Sequence, residues 1–431
     1  MQKIHLYLLI ILSAMFIIYP AQTNAAPELE AESAILVNMN TGAVLFEQRA
    51  DEIMYPASTT KIMTALLAVE YGKPDELVTV GTEVLTIPLS ASKAGILVGD
   101  QITMEELLYG LMLPSGNDVA YTIAIHLARS LGDPELNRAE AIEFFTEMMT
   151  ERARELGATN TNFANPDGFH HPDHYSTARD MALITKAAME HPLFRDVVGT
   201  GHHTPENWTG PEVRPWGNGN QLIRSHYTNY YEKATGGKTG YTPQAGFTLV
   251  ATAQQDAMEL VSVVLNTTRE GRWSDSVRLL EYGFENYTYL SLLSDNQMVA
   301  RLPVTNQAPG EPNTVDIIAA EGFDTVLPVQ DQEVKTTLNY NSEFLDEDSE
   351  RLKAPLTAGQ IIGELVLSVN DQELHRTSLL AEREIAAYPW WRRLFFPGAA
   401  TFVGTGLIFI RRRTRRARRS RYRSRYLVHR Y

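Results

Sequence analysis

Two short apolar runs near the start of the globular region predict a β-hairpin. Residues 34–37 and 43–46 are mainly apolar and flank an Asn-Thr-Gly turn. Two later apolar runs, 246–251 and 260–265, also have the composition of strands. Because strands stand at both ends of this region with helical patterns between them, we expect the terminal strands to share one sheet in an α+β domain over 28–290.

Between these strands, apolar residues recur at helical spacing. The pattern predicts helices over about 58–71 and 138–156, each followed by a glycine that ends it. Thr103 and Glu106 stand at capping-box spacing before another apolar run, and a further helix is expected to begin near 176–177. The region therefore predicts a cluster of helices packed on the sheet.

The pattern becomes strand-rich over 297–385. Alternating apolar and polar residues mark strands at 334–340, 361–369 and 374–379, and Pro, Gly and Asn-Asp turns separate them. We predict a small C-terminal β-sandwich domain. Its sequence contains no set of residues typical of a catalytic site. We therefore expect a spacer or a partner-binding module.

The first 25 residues have the pattern of a secretory signal peptide. Lys3 precedes the apolar run 6–18, and small residues stand before a cleavage site near Ala25. The run is shorter than a membrane-spanning helix requires. We therefore expect 1–25 to be removed on export, the alternative being an uncleaved anchor.

The C-terminal residues have a different pattern. Trp390 and Trp391 precede the uncharged stretch 394–410, and Arg-rich residues 411–431 follow. Interfacial aromatics, an apolar stretch and a basic flank are typical of a membrane anchor under the positive-inside rule. We predict a membrane anchor helix over 390–410, a cytoplasmic tail over 411–431 and a body outside the membrane. The alternative is a helix that lies on an anionic lipid surface.

Charge and composition narrow the classes of function. Of the 38 Lys and Arg, eleven lie in 411–431, so the rest of the chain has 27 against 52 Asp and Glu. An acidic body repels the phosphate backbone, and we expect no nucleic-acid partner. The chain has no Cys, which excludes disulfides, thiolate catalysis and Cys-ligated metal sites.

A serine and a lysine stand one helical turn apart near the start of the first predicted helix. Residues three apart lie on one helix face, so Ser58 and Lys61 can touch. A neutral lysine can remove the serine proton when burial and nearby positive charge lower its pKa. The motif alone is more typical of a serine that only caps a helix.

Two further motifs supply groups for proton transfer and carboxylate binding. Ser115 and Asn117 fall in a turn between two apolar helical runs, where a hydroxyl can relay a proton and an amide can hold a substrate peptide. Lys238, Thr239 and Gly240 open a strand, with a cation and a hydroxyl suited to a carboxylate. The glycine lets a substrate backbone approach a strand edge. Each motif alone would also suit an ordinary turn.

Together the motifs resemble the active-site set of penicillin-binding proteins and class A β-lactamases: Ser-x-x-Lys, Ser-x-Asn and Lys-Thr-Gly. More narrowly, the chain resembles the D-alanyl-D-alanine carboxypeptidases, low-molecular-mass penicillin-binding proteins of the peptidase S11 type. The stretches 165–169, 174–180 and 238–242 also carry this resemblance. It implies a β-lactamase/transpeptidase-like domain, an antiparallel sheet with a helical cluster, followed by a β domain and membrane attachment.

The resemblance also implies a reaction. Ser58 would attack the carbonyl between the last two D-alanines of a peptidoglycan stem pentapeptide, with Lys61 as the general base. Ser115 would pass a proton to the leaving D-alanine, helped by Asn117. No cofactor is implied, and β-lactams would acylate the same serine because they resemble the substrate. The site of action would be the extracytoplasmic face of the bacterial cell membrane.

Substrate binding follows from the same resemblance. Lys238 and Thr239 would bind the terminal carboxylate. The main-chain N–H groups of Ser58 and Tyr241 would form the oxyanion hole.

Three other functions are compatible with these motifs. A class A-like β-lactamase needs a deacylating Glu, and the stretch 133–137 has a similar composition but begins only eighteen residues after Ser115. A DD-endopeptidase or transpeptidase would use the same residues on cross-linked strands. A wall-binding protein with an inactive site would keep the motifs without the chemistry.

Three clustered histidines are candidate metal ligands. His170, His171 and His174 lie close together beside Asp173. Because they follow a turn and lead into a helix start, they are more typical of a loop than of a zinc site. We expect no metal.

Overall fold

The computed structural model describes four stretches of the chain: 26–210, 215–329, 333–346 and 349–389. The predicted signal peptide, anchor and tail lie outside the described residues, at 1–25, 390–410 and 411–431. Within the described stretches, no helix is both long enough and apolar enough to cross a membrane.

Helices are concentrated in the first two thirds of the described chain, and strands occur throughout. The α-helices are α1 (Lys61–Tyr71), α2 (Met104–Met112), α3 (Asn117–Leu131), α4 (Arg138–Glu155), α5 (Ala178–Met189), α6 (Pro192–Gly199) and α7 (Gly271–Asn286). The strands are β1 (Ser33–Asn38), β2 (Val44–Gln48), β3 (Leu77–Thr79), β4 (Gln101–Thr103), β5 (His202–His203), β6 (Trp216–Gly217), β7 (Ala234–Thr242), β8 (Gly246–Gln255), β9 (Met258–Thr267), β10 (Tyr287–Leu293), β11 (Met298–Thr305), β12 (Thr314–Ala319), β13 (Phe323–Pro328), β14 (Val334–Tyr340), β15 (Leu345–Asp346), β16 (Ser349–Lys353), β17 (Ile361–Val369) and β18 (Gln372–Ala381).

One compact unit contains the described residues up to 292 together with 324–329. Its central sheet has five antiparallel strands in the order β2-β1-β9-β8-β7. The N-terminal strand β1 pairs with β9, and Ile35 lies opposite Val263. The prediction that the terminal strands share one sheet is therefore confirmed, and so is the α+β class.

The central sheet is covered on both faces. Successive residues of β1 point to opposite faces, so Ile35 belongs to the core that includes α1 to α6, while Leu36 belongs to the core that includes α7. All six residues of β1 are buried. Since burying one large aliphatic side chain contributes about 1.5–3 kcal/mol, these two cores hold the helices to the sheet.

Two helix starts differ from the sequence prediction. The helix predicted over 58–71 begins with a 3₁₀ turn, and α1 follows it. Thr103 caps α2 by accepting the N–H of Glu106 at 3.4 Å, as expected. However, the Glu106 carboxylate accepts the N–H of Glu206 at 3.0 Å instead of returning to the cap, so the predicted capping box is incomplete. The Glu106 carboxylate therefore makes a tertiary contact instead of a local one.

A second unit comprises 293–323 and the described residues from 333 onward. It is built around a seven-stranded sheet in the order β14-β17-β18-β12-β11-β16-β15. The β11–β16 pair is parallel, and the other neighbours are antiparallel. Alternate residues of β12 are buried, which gives this sheet one apolar face. The strand-rich C-terminal region predicted from the sequence is confirmed.

Candidate active site

Ser58 lies in a 3₁₀ turn over Ala57–Thr60, directly before α1. The preceding residue, Ala57, has a φ of +49°, in the left-handed region that costs a non-glycine residue about 1–2 kcal/mol. Gly168 packs closely on this turn, because a Cβ there would lie 1.9 Å from the Ala57 carbonyl oxygen. Tertiary packing therefore holds the turn that presents the serine hydroxyl.

The side chain of Lys61 is fully buried next to Ser58. Its Nζ lies 3.2 Å from Ser58 Oγ, 2.7 Å from Asn117 Oδ1 and 2.6 Å from the main-chain oxygen of Asp167. Two of these partners are carbonyl oxygens, which only accept hydrogen bonds. A neutral amine has two N–H groups and one lone pair. With both N–H groups donated to the carbonyls, the lone pair faces the serine hydroxyl.

The protonation state of Lys61 follows from its surroundings. Burial lowers the pKa of Lys61 from its usual 10.5 to about 8, although the carboxylates of Asp167 and Asp118 oppose this shift. A base is most effective when its pKa lies near the working pH. Lys61 can therefore accept a proton under mildly alkaline conditions, which an exposed lysine cannot do.

The loop 165–169 positions one of the partners of Lys61. Asn165 Oδ1 accepts the N–H of Gly168, and Asn165 Nδ2 donates to the carbonyl of Phe169, both at 2.8 Å. These bonds close a turn that directs the Asp167 carbonyl towards the lysine. The sequence linked this loop to the site only through the family resemblance.

The second motif contacts the first through Asn117, the first residue of α3. Ser115 precedes it with a φ of +62°, a conformation that few non-glycine residues adopt. Both residues line the same cavity as Ser58. The structure thus brings the serine, the lysine and the Ser-x-Asn turn together.

The third motif lies on β7, the outer strand of the central sheet. A Cβ at Gly240 would lie 3.0 Å from the main-chain nitrogen of Ser58 and 2.4 Å from Thr248 Oγ1, so only glycine lets the strand approach the serine this closely. Lys238 is 2% exposed, and its Nζ donates to the carbonyl of Thr239 at 2.9 Å.

A cavity of about 630 Å³ lies between the three motifs. Five of the seven site residues predicted from the sequence line it: Ser58, Ser115, Asn117, Thr239 and Tyr241. The other two, Lys61 and Lys238, are buried behind its surface. Lining residues that the sequence did not indicate include Ser90, Ser92 and Arg272.

Arg272 adds a third cation to this region. Its guanidinium lies over the rings of Phe247 and Trp273, at 4.9 and 4.4 Å from their centroids, and burial lowers its pKa. The pKa of Lys238 is well below its usual range because of burial and the neighbouring cations Lys61 and Arg272. A bound carboxylate would raise the pKa of Lys238 again, since opposite charge favours the charged form. No sequence motif surrounds Arg272, so no pattern indicated it.

Of the three clustered histidines, His170 lines the cavity, whereas His174 is part of the scaffold. His174 Nδ1 accepts the N–H of Ala164 at 3.0 Å, so Nε2 carries the proton and donates to Thr60 Oγ1 at 2.7 Å. Burial lowers the pKa of His174 to about 3, which keeps the ring neutral. Among the residues that the structure describes, no three His, Asp or Glu side chains come together in an arrangement that could hold a metal ion.

The β-lactamase-like stretch 133–137 lies outside the cavity. Glu135 is exposed, and Asn137 caps α4 through its side chain. A deacylating carboxylate would have to reach the serine, and this one does not line the site. The observation removes the main sequence argument for a class A-like β-lactamase.

A serine hydroxyl next to a buried lysine, at the outer strand of an antiparallel sheet flanked by helices, defines a serine hydrolase of the transpeptidase-like class. Residues 20–269 match the family described as D-alanyl-D-alanine carboxypeptidase. Residues 287–387 match the family described as penicillin-binding protein 5, C-terminal domain. The chain belongs to the D-alanyl-D-alanine carboxypeptidase family, peptidase S11, and the resemblance inferred from the sequence is confirmed.

Relatives and solved structures agree with this assignment. The chain is 30% identical over 362 residues to D-alanyl-D-alanine carboxypeptidase DacF of Bacillus subtilis, covering 83% of this chain and 86% of the relative. It is 32% identical over 375 residues to DacC of Escherichia coli, covering 84% and 86%. The crystal structure of penicillin binding protein 5 from Haemophilus influenzae aligns with a TM-score of 0.64 at 27% identity, over 84% of this chain and 99% of that one. These matches favour a carboxypeptidase over the alternatives.

Proposed function

We propose that the protein releases the terminal D-alanine from peptidoglycan stem pentapeptides through an acyl-enzyme on Ser58. One observation carries this proposal. Lys61 Nζ has two carbonyl acceptors for its N–H groups, at 2.6 and 2.7 Å, and the hydroxyl of Ser58 at 3.2 Å for its lone pair. This arrangement suits a general base that activates a serine.

Acylation follows from these contacts. Ser58 Oγ forms a bond to the carbonyl carbon of the penultimate D-alanine while its proton moves to Lys61 Nζ. The N–H groups of Ser58 and Tyr241 would stabilise the oxyanion. The C–N bond then breaks, the proton on Lys61 passes through the hydroxyl of Ser115 to the leaving nitrogen, and D-alanine departs with Lys61 neutral again.

Substrate orientation would come from the strand edge and the cationic end of the cavity. β7 is the outer strand of the sheet, so an extended peptide can add to it by main-chain hydrogen bonds. The terminal carboxylate would then meet the hydroxyl of Thr239 and the charges of Lys238 and Arg272. Asn117 would hold a peptide amide.

Water completes the cycle. A water molecule gives a proton to Lys61 and attacks the ester carbonyl, the C–O bond breaks, and Ser58 Oγ regains a proton. The product is a tetrapeptide. A β-lactam would follow the first half of this path, because its strained amide and carboxylate resemble the terminal dipeptide.

We expect purified protein to release free D-alanine from a pentapeptide that ends in D-Ala-D-Ala. A matched peptide with a C-terminal amide should be cleaved about 10²-fold or more slowly, because the buried cations would lack their partner. D-Alanine is quantified enzymatically. Equal rates on both peptides would contradict carboxylate recognition, and cleavage confined to cross-linked dimers would favour an endopeptidase.

We also propose export and attachment to the extracytoplasmic face of the membrane, from the apolar and charged patterns at 1–25 and 390–431. The expected mature N-terminus is near Ala26, and protease added to intact cells should leave the Arg-rich residues 411–431 uncut. Mass spectrometry of the protein from a membrane fraction measures both. Retention of Met1 would contradict signal cleavage, and cleavage of the tail from outside would contradict a spanning anchor.

A further inference from the structure

One side of the cavity is formed by residues 90–95, which we call the wall segment. They belong to no helix or strand. Ser90, Ala91 and Ser92 line the cavity. A stretch outside helices and sheets depends on other groups to satisfy its main-chain N–H and C=O groups. The shape of this side of the cavity therefore depends on what holds the wall segment.

Asp118, the second residue of α3, makes two of these contacts. Its side chain is 1% exposed. Oδ1 accepts the N–H of Ala94 at 2.9 Å, and Oδ2 accepts the N–H of Gly95 at 2.8 Å. Both oxygens of one buried carboxylate thus bind two consecutive main-chain amides. Hydrogen bonds to a charged acceptor are about twice as strong as neutral ones.

Two further hydrogen bonds connect the wall segment to its surroundings. The carbonyl of Ser92 accepts the main-chain N–H of Asn117, and the carbonyl of Ala94 accepts Trp216 Nε1–H, both at 2.9 Å. The side chain of Asn117 contacts Lys61 Nζ. Hydrogen bonds therefore connect the wall segment to the start of α3 and, through Asn117, to the general base Lys61.

We infer that Asp118 is a positioning residue of the reaction, which holds the wall segment against the start of α3 and so keeps the cavity shaped around Ser58. This inference rests on the proposed function, because it concerns how the same site is held. Asp118 does not line the cavity and has no direct role in bond making. Its neighbour Asn117 does contact Lys61. A displacement of the wall segment would therefore also displace Asn117 and change its contact with the base.

The charge of Asp118 has a second consequence. The titratable groups that face Lys61 are the carboxylates of Asp118 and Asp167, the buried amine of Lys238 and the neutral ring of His174. A nearby negative charge stabilises a protonated lysine. Removing the charge of Asp118 therefore lowers the pKa of Lys61 further. A buried carboxylate that does not interact with Lys61 would not have this effect.

The test compares Asp118→Asn with the wild type. The amide keeps the size of the side chain but loses the charge and one of the two accepted hydrogen bonds. We expect the plateau of kcat/KM for D-alanine release to fall about 10- to 100-fold, since small displacements of catalytic groups have effects of this size. The acid limb should move to lower pH, and the amides of Ala94 and Gly95 should exchange faster with deuterium.

Asp275→Asn is the matched control. Asp275 is fully buried, and one of its oxygens also accepts two consecutive main-chain N–H groups, those of Glu30 and Ala31, at 3.0 and 2.9 Å. This variant should lower Tm yet keep the wild-type plateau and acid limb. Trp216→Phe loosens the wall segment without a charge change, so its plateau should fall with no shift of the acid limb. If Asp118→Asn does not fold, Trp216→Phe still tests whether the wall segment affects the rate.

Specific results would overturn the inference. An unchanged plateau in both Asp118→Asn and Trp216→Phe would do so. Equal losses of activity in Asp118→Asn and Asp275→Asn, with the acid limb unmoved, would reduce Asp118 to a folding role. A wild-type protein that releases no D-alanine would instead contradict the proposed function, while deuterium exchange in the wall segment would still report on Asp118.

Discussion

Replacing Ser58 with alanine is expected to abolish acyl-enzyme formation and to lower D-alanine release by on the order of 10⁴-fold or more, because the attacking oxygen is lost. Intact-mass measurement after incubation with benzylpenicillin should show one adduct on the wild type and none on Ser58→Ala. Because Ser58 is only half-buried and its hydroxyl is one of three partners of Lys61, Tm should change little.

Ser130→Ala provides the control for the loss of a hydroxyl. Ser130 is exposed on α3 and donates to the carbonyl of His126 in its own helix at 2.6 Å. This variant should keep the adduct and the rate. A penicillin adduct on Ser58→Ala, or D-alanine release at the wild-type rate, would show that another residue is the nucleophile.

Loss of the amine of Lys61 should be nearly as severe. Lys61→Met keeps an unbranched chain in the buried site but removes the base, and kcat/KM should fall about 10²- to 10⁴-fold. In the wild type, the neutral amine is the active form and burial lowers its pKa to about 8. Activity should therefore fall as the pH decreases through about 8, and the acid limb of kcat/KM measures this directly.

Lys186→Met tests whether the loss of any lysine matters. Lys186 forms a surface pair with Glu190 at 3.1 Å and should leave both the rate and the acid limb unchanged. An acid limb centred near the ordinary lysine value of 10.5 would contradict the buried, depressed base. A Lys61→Met variant that retains the wild-type plateau would assign proton removal to another group.

Much of the fold could be predicted because its signals are local. Apolar runs mark the strands of the first domain and alternating apolar residues mark those of the second, and the strand predicted at 334–340 has the bounds of β14. The sequence predicts the cap at Thr103 correctly, but Glu106 accepts the N–H of Glu206 instead of completing the capping box. A tertiary partner had replaced a local one, and nothing within a few residues of the helix start reveals that.

In the candidate site, too, some contacts follow from the local sequence and others require the tertiary structure. Ser58 and Lys61 are three residues apart, so their contact follows from helix geometry. The groups that complete the site come from distant parts of the chain: the carbonyl of Asp167, Arg272 on α7, and Asp118, whose two bonds to the wall segment have no sequence signature. Their approach requires the packed helices and the outer strand β7.

The spacing of side chains along one helix or strand is a property of covalent geometry, so the linear chain already specifies a hydroxyl beside an amine, a polar turn and a cationic strand. Whether that amine is a base is a different matter. Its pKa depends on exclusion of water and on charges contributed by residues 57 and 106 positions further along the chain. Burial and long-range electrostatics exist only once the chain has folded, and they convert a common serine–lysine spacing into a site suited to catalysis.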